Sequence, residues 1–167
     1  MFSQVVIKHI EEQPYVAIRS SVAIGQLANI IGAQLDDVMS WLTDNGVGPV
    51  GAPLIRYHVC PTIADSQAVV EVSIGWPIKE IMSTNESMES AALPGGNYAC
   101  LTFTGVENGI AGNGQLISWA RNHNHLFDSW PLPGGEGFSG RVEHMLDGPE
   151  DDPDPSQWRT EVAIKIK

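Results

Sequence analysis

Apolar positions in the first half of the chain change period from two to about 3.6 and back to two. The stretches "SQVVIKHI" (3–10) and "YVAIRSSV" (15–22) are rich in β-branched residues and predict strands on either side of Pro14. Between 26 and 45, apolar side chains recur at helical spacing, at Leu27, Ile31, Leu35, Val38 and Leu42. "APLIRYHV" and "QAVVEVSIGW" predict two further strands. The predicted order is therefore strand, helix, strand, strand.

The second half of the chain repeats this order. "NYACLTFTG", "NGQLISWARNHN", "SGRVEHML" and "QWRTEVAIKIK" predict a strand, a short helix and two strands. Aligning the halves pairs Trp41 with Trp119 and places Tyr57 opposite Glu143. We expect an α+β fold built by tandem duplication of strand-helix-strand-strand modules, with antiparallel sheets that pack about a pseudo-two-fold junction. The whole of 1–167 then forms one domain, with repeat halves at about 1–80 and 81–167.

The charge of the chain narrows the choice of partner. The formal net charge is -11, with only nine Lys and Arg among 167 residues. Binding to nucleic acid or to anionic membranes needs basic patches, so both are disfavoured, whereas a cationic small molecule would be attracted. Cys60 and Cys100 form no CxxC pair, and the start of the chain lacks the features of a signal peptide. These features indicate a stand-alone protein of the cytoplasm.

Glu143 is the most informative polar residue in the sequence. Strand alternation places it on the same face as Arg141 and Met145, away from Val142 and His144. One interpretation is an exposed ion pair with Arg141, worth under ~1 kcal/mol. The other is a carboxylate that shares an apolar pocket with Met145. The residues alone favour the ion pair, because surface carboxylates are common.

Other polar motifs give weak indications of chemistry. His123 and His125 have no nearby cysteine or carboxylate cluster, so a solvated helix end is the better interpretation than a metal site. "GIAGNG" is followed by no lysine, and no GxSxG motif is present, so neither a phosphate loop nor the usual hydrolase elbow is indicated. We therefore expect no cofactor and no metal.

Several motifs together resemble the effector-binding domain of bacterial multidrug-responsive transcription activators, the GyrI-like family. They are "PYVAIR", "WLTDNGVGPVGAPLIRYH", "LPGGNYACLTFTG", "SWARNHN" and the glutamate of "RVEHMLDGP". The resemblance implies a tandem of two modules with a ligand cleft at their junction. It implies that Glu143 lies in that cleft and meets lipophilic or cationic ligands. Met145 stands where the family usually has a tyrosine.

The resemblance reverses the preference for a surface ion pair at Glu143. We expect a small-molecule effector-binding domain, with a role in transcription regulation or drug sequestration. The expected ligand-binding residues are Glu143, Tyr57, Trp119, Met145 and Phe103. Two alternatives stay open: a hydrolase of strained electrophilic natural products with Glu143 as base, and an acidic inhibitor that binds a topoisomerase. An enzyme is the less favoured of these interpretations, because the family tyrosine is replaced.

We expect the chain to show no binding to random duplex DNA in a mobility-shift assay at low salt. Low salt exaggerates electrostatic attraction, so it is the most permissive condition for a protein with a net charge of -11. Micromolar binding under that condition would contradict the prediction.

Overall fold

The computed structural model describes residues 1–63 and 65–167. The strands are β1 (Val6–Ile10), β2 (Gln13–Ala23), β3 (Leu54–Pro61), β4 (Val69–Pro77), β5 (Glu89–Leu93), β6 (Gly96–Thr104), β7 (Ser129–Leu132), β8 (Gly135–Phe138), β9 (Arg141–Met145) and β10 (Arg159–Lys165). The helices are α1 (Ile24–Asp44) and α2 (Gly109–Asn122), and short 3₁₀ turns span Val106–Asn108 and Pro155–Gln157. Every predicted strand and both predicted helices are present, which confirms the α+β fold. No helix among the described residues combines the length and apolar character needed to cross a membrane.

The strands form one antiparallel sheet with a palindromic order. The order is β1-β6-β10-β9-β3-β4-β2-β5. Read outward from the centre, β3-β4-β2 of the first half mirrors β9-β10-β6 of the second. This arrangement is the pseudo-two-fold relation that the duplicated sequence predicts, with the junction between β3 and β9.

The two edge strands are exchanged between the halves. β1 precedes β2 in the chain but pairs with β6, and β5 precedes β6 but pairs with β2. Links of only a few residues join each edge strand to the next strand, so the sheet must curl until its two ends approach each other. The curled face opposite the helices encloses a core of side chains from both halves, among them Tyr15, Leu54, Tyr98 and Val142.

The helices cover the other face of the sheet, one on each half. α1 packs on β2 and β4, where Val38 and Leu42 are fully buried. α2 packs on β6, where Leu116 is fully buried against Leu101 and other apolar residues. Because both faces of the central strands are buried, "YVAI" and "YACL" are apolar at consecutive positions rather than at alternate ones.

Three strands have no counterpart in the sequence prediction. β5 lies in a stretch with small and polar residues, and β7 and β8 form a hairpin that contains several glycines and prolines. Strand propensity is low in such segments, so pairing with neighbours determines their conformation. β8 pairs with β3 at Val59–Pro61 and extends the sheet beside the junction.

Gly75 provides a test of the packing of β4 on β2. A Cβ atom at this position would press against the carbonyl oxygen of Val16 and lie 2.6 Å from Cα of Ala17. We expect Gly75→Ala to lower the free energy of unfolding, measured by urea denaturation, by about 1–3 kcal/mol or more, because β2 and β4 would have to move apart. Gly32→Ala is the matched control, since a Cβ atom on that residue of α1 would meet no atom within 4 Å. It should raise stability by up to ~1 kcal/mol, and equal effects of the two substitutions would contradict the prediction.

Candidate functional site

The site lies on the helix-bearing face at the junction of the two halves. β9 pairs with β3 through Leu54↔His144, Ile55↔Glu143 and Arg56↔Val142. Since paired residues of neighbouring strands share a face, this register places Glu143 with Ile55 on the face that the helices flank. Val142 lies on the opposite face, in the core enclosed by the curled sheet. The alternation predicted for β9 is therefore present.

Glu143 is buried and hydrogen-bonded to Tyr57. Only 8% of Glu143 is exposed, and the hydroxyl of Tyr57 donates to Oε1 of its carboxylate. Counted through the strand registers from Tyr15 and Tyr98, Ile55 is the repeat equivalent of Glu143 and Met145 that of Tyr57. Tyr57 therefore reaches Glu143 from two residues along β3, on the same face of the sheet. A buried carboxylate is costly unless such donors offset its loss of hydration.

Arg141 lies beside Glu143 but does not form a salt bridge with it. Among the described residues, no Lys, Arg or His nitrogen lies within 4.0 Å of the Glu143 carboxylate. Arg141 Nη2 donates instead to Oδ1 of Asn113 in α2, over 2.9 Å. The guanidinium carbon lies 4.7 Å from the ring centroid of Phe138 and 5.9 Å from that of Tyr57. The burial of Glu143 and these contacts disagree with an exposed Glu143–Arg141 ion pair.

Burial sets the proton affinity of the pair. Loss of hydration raises the pKa of the Glu143 carboxyl above its usual range. The hydrogen bond from Tyr57, the charge of Arg141 and a hydrogen bond with Asn113 lower the pKa and offset part of that rise. Burial, and then the charge of Glu143, raises the pKa of the Tyr57 hydroxyl well above its usual value. Tyr57 thus remains a donor at neutral pH.

Met145 supplies an apolar wall next to the carboxylate. It packs with Tyr57 against the cluster of Ile55, Val72 and Ile74, which α1 covers from above. A thioether side chain is flexible and polarisable, which suits a surface that adapts to differently shaped apolar molecules. The structure thus brings together three of the five predicted site residues, Glu143, Tyr57 and Met145.

The structure places the other two predicted residues away from Glu143. Phe103 is 3% exposed and packs beneath α2, where its ring prevents any Cβ at Gly112. Trp119 lies on the side of α2 that faces the N-terminal residues 3–5, and its ring stacks on His123 with centroids 4.3 Å apart. Helical periodicity identified the apolar residues of α2 but not which of its two flanks faces the junction.

Asn113 and Phe138 belong to the site, and the sequence analysis missed both. Asn113 occupies the first half of α2 and contacts Arg141 and Glu143. The glycines on either side of it, at 112 and 114, weaken the helix signal but can indicate a close approach to another element. Phe138 ends β8, where it is 4% exposed and lies beside the Arg141 guanidinium, and nothing in "GGEGF" distinguishes it from an ordinary core residue.

The family model of the GyrI-like small molecule binding domain matches residues 3–167 of the chain. The chain therefore belongs to the GyrI-like family and is a small-molecule-binding domain. No curated protein sequence matches it.

Solved structures of similar fold have low sequence identity to the chain. In the complex of EcmrR with DNA, the EcmrR chain has a TM-score of 0.78 at 14% identity, over 99% of this chain and 57% of that one. The chain thus spans little more than half the length of EcmrR. The C-terminal domain of EcmrR alone gives 0.73 at 14% identity, covering 98% and 97% of the two chains. SAV2435 bound to tetraphenylphosphonium gives 0.57 at 12% identity, covering 99% and 94%.

Tyr57→Phe should raise the pKa of Glu143 further, because the lost hydrogen bond lowers it. That hydrogen bond stabilises the ionised carboxylate, so its contribution is present above the folded-state pKa of Glu143 and is lost as the pH falls through it. We expect Tyr57→Phe to lower the free energy of unfolding by about 1.5–3 kcal/mol at pH 8 and by less at pH 4. Urea denaturation at both pH values and a carboxyl ¹³C NMR titration would measure the two effects.

Tyr98→Phe is the matched control for Tyr57→Phe. The Tyr98 hydroxyl donates to the carbonyl oxygen of Pro94 over 2.6 Å, and a carbonyl does not titrate. Loss of this hydrogen bond should lower the free energy of unfolding by the same amount at pH 4 and pH 8. If Tyr57→Phe also showed no dependence on pH, the hydrogen bond to an ionised Glu143 would be excluded.

Proposed function

We propose that the protein binds lipophilic, aromatic or cationic small molecules at the β3–β9 junction, with Glu143 as the charged group that selects them. The observation that carries the proposal is a buried carboxylate with a raised pKa and no cation within salt-bridge distance among the described residues. Buried charges in proteins are normally paired, so an unpaired one at the junction of a small-molecule-binding domain suits an external cation.

The electrostatic gain available to a ligand is sufficient for selectivity. A unit positive charge ~4 Å from the Glu143 carboxylate gains about 4 kcal/mol at an effective dielectric constant near 20. Desolvation of the cation offsets most of that gain. If a quarter of it survives, the affinity for a cation exceeds that for a neutral molecule of the same shape by about fivefold.

The aromatic rings of the site supply the apolar part of the binding surface. The rings of Tyr57 and Phe138 flank the position that the Arg141 guanidinium now occupies. A cation on an aromatic face gains about 0.5–2 kcal/mol, whether it is a guanidinium or a ligand cation. A lipophilic cation would therefore take the place of Arg141, whose long side chain can move out toward solvent.

A role in transcription regulation is the part of the proposal that the structural likeness to EcmrR supports. The fold resembles that of EcmrR, which has been solved in a complex with DNA. The chain covers 57% of that protein, so a domain of this kind supplies the ligand response while DNA contacts come from another part of the assembly. Drug sequestration is the corresponding role for a chain that acts without such a partner.

The alternative function is that of a hydrolase with Glu143 as general base. A raised carboxyl pKa favours proton abstraction near neutral pH, and Tyr57 is a donor within reach of the same carboxylate. A hydrolase encoded by lin2189 from Listeria innocua has a similar fold, with a TM-score of 0.64 at 9% identity over 98% of this chain and 92% of that one. Release of a ring-opened product from an epoxide-bearing compound, lost in Glu143→Gln, would favour this function over simple binding.

Glu143→Gln tests the proposed selectivity, because it keeps the shape of the side chain and removes its charge. We expect the affinity for tetraphenylphosphonium to fall five- to tenfold in isothermal titration calorimetry. The affinity for triphenylphosphine oxide, a neutral molecule of similar outline, should change less than twofold.

Glu161→Gln is the matched control for the ligand experiment. Glu161 lies on β10 and pairs with Lys8 over 2.6 Å, so the substitution removes one negative charge outside the site. It should leave both affinities within twofold of the wild-type values. Equal losses for the cation and the neutral ligand in Glu143→Gln would mean that Glu143 only shapes the cleft.

A further inference from the structure

A second groove runs along the flank of α2 that faces away from Glu143. It has a volume of about 830 Å³ and lies between α2, the buried strand β6 and the N-terminal residues 3–5. Its apolar wall is formed by Val5, Leu101 and Trp119, and its polar rim by Gln115, Ser118 and Asn122. Grooves that bind small molecules in proteins typically have volumes of 300–1,000 Å³.

The pseudo-two-fold relation identifies the equivalent place in the first half, between α1 and β5. The registers Tyr15↔Ala91 and Lys8↔Tyr98 are equivalent, because Tyr15 and Tyr98 correspond in the two repeats. Ala91 and Lys8 are therefore equivalent positions on β5 and β1. Three residues before each of them lie Met88 and Val5, which are equivalent in the same way. In the first half, Met88 packs against the cluster of Val16, Val38 and Leu42, beside Trp41.

Three of these four positions carry a smaller side chain in the second half, and the fourth, Val38, corresponds to the larger Leu116. Val16 corresponds to Ala99, and Leu42, next to Trp41, corresponds to Ala120, next to Trp119. Together with Val5 in place of Met88, each of these differences removes apolar volume on the side of α2. The space that side chains fill beside α1 is therefore left open beside α2.

The groove also lacks the negative charge of its counterpart. Aligning Trp41 with Trp119 places Gly114, Gln115 and Asn122 where α1 carries Asp36, Asp37 and Asp44. Among the described residues that line the groove, only His123 has a titratable side chain. In a chain with a net charge of -11, an uncharged groove is a local exception. It gives a ligand cation no carboxylate to pair with and gives a ligand anion no Lys or Arg.

We propose that this groove is a second binding site, which takes an uncharged apolar small molecule with a hydrogen-bonding group. The apolar body of the ligand packs on Val5, Leu101 and the edge of the Trp119–His123 stack, where the first half uses its own methionine. The hydrogen-bonding group meets the amide and hydroxyl side chains of the rim. The site is independent of Glu143, which lies on the other flank of α2.

Gly114→Leu tests the groove by filling it. Gly114 lines the groove, and a Cβ atom at this position would meet no atom within 4 Å. The probe is N-phenyl-1-naphthylamine, an uncharged apolar fluorophore that carries one N–H donor. We expect saturable fluorescence enhancement with the wild-type protein and at least a tenfold loss of affinity in Gly114→Leu. The melting temperature of the variant should be equal or higher, because leucine favours a helix more than glycine does.

Two matched variants make the outcome decisive. Gly32→Leu introduces the same side chain at an open position of α1, and Glu143→Gln alters the proposed site at the junction. Both should bind the probe within twofold of the wild-type affinity. The proposal is overturned if the wild-type protein shows no saturable binding, if Gly114→Leu binds as the wild type does, or if Glu143→Gln abolishes binding. The last result would place the probe in the cleft and leave the proposed function intact.

Discussion

The pairing of β3 with β9 is the constraint on which the site depends. Three residue pairs, from Leu54↔His144 to Arg56↔Val142, define it, and β8 of the second half adds three further pairs with β3. A shift of one residue would move Glu143 to the enclosed face, where Val142 now packs between Leu54 and Ala163. That shift would bury a carboxylate in the apolar cluster of Tyr15, Leu54 and Ala163 and remove it from the Tyr57 hydroxyl. The apolar core of the curled face and the Tyr57–Glu143 hydrogen bond therefore favour the same register.

The exchange of the edge strands explains why this register is stable although so few residues define it. β1 carries the chain of the first half onto β6 of the second, and β5 does the reverse. Each half therefore completes the sheet of the other at its outer edge, while the curled face buries Tyr15 and Tyr98 in one common core. The exchanged edge strands therefore link the two halves at both ends of the sheet, in addition to the β3–β9 pairing at its centre.

Sequence periodicity predicted the elements because each strand and helix of the repeat carries its own apolar pattern. It could not predict the exchange of β1 and β5, since the same apolar strand can pair with either half. The repeat alignment placed Tyr57 opposite Glu143, whereas the strand register pairs Ile55 with Glu143. The side chains of Tyr57 and Glu143 nevertheless meet in a hydrogen bond. Phe138 was missed because its hairpin is glycine-rich. Helical periodicity identifies an apolar face of α2 but does not say which flank, with or without Trp119, lies toward the junction.

Near-symmetric halves produce a site through the side chains that differ between them. A symmetric junction would place like groups opposite each other, and two carboxylates or two tyrosines would leave either repelling charges or surplus donors. Here one half supplies the acceptor, Glu143, and the other supplies the donor, Tyr57.

Arg141 extends this asymmetry, because it neutralises part of the charge of Glu143 while its guanidinium occupies the ring faces of Phe138 and Tyr57. On the proposed function, a ligand cation displaces Arg141 from the two aromatic rings and pairs with the carboxylate, with which Arg141 forms no salt bridge. Its affinity then depends on the difference between the two cations. A lipophilic cation gains by leaving water, whereas a small hydrated cation must give up its hydration shell, so this competition favours apolar cations over small hydrated ones.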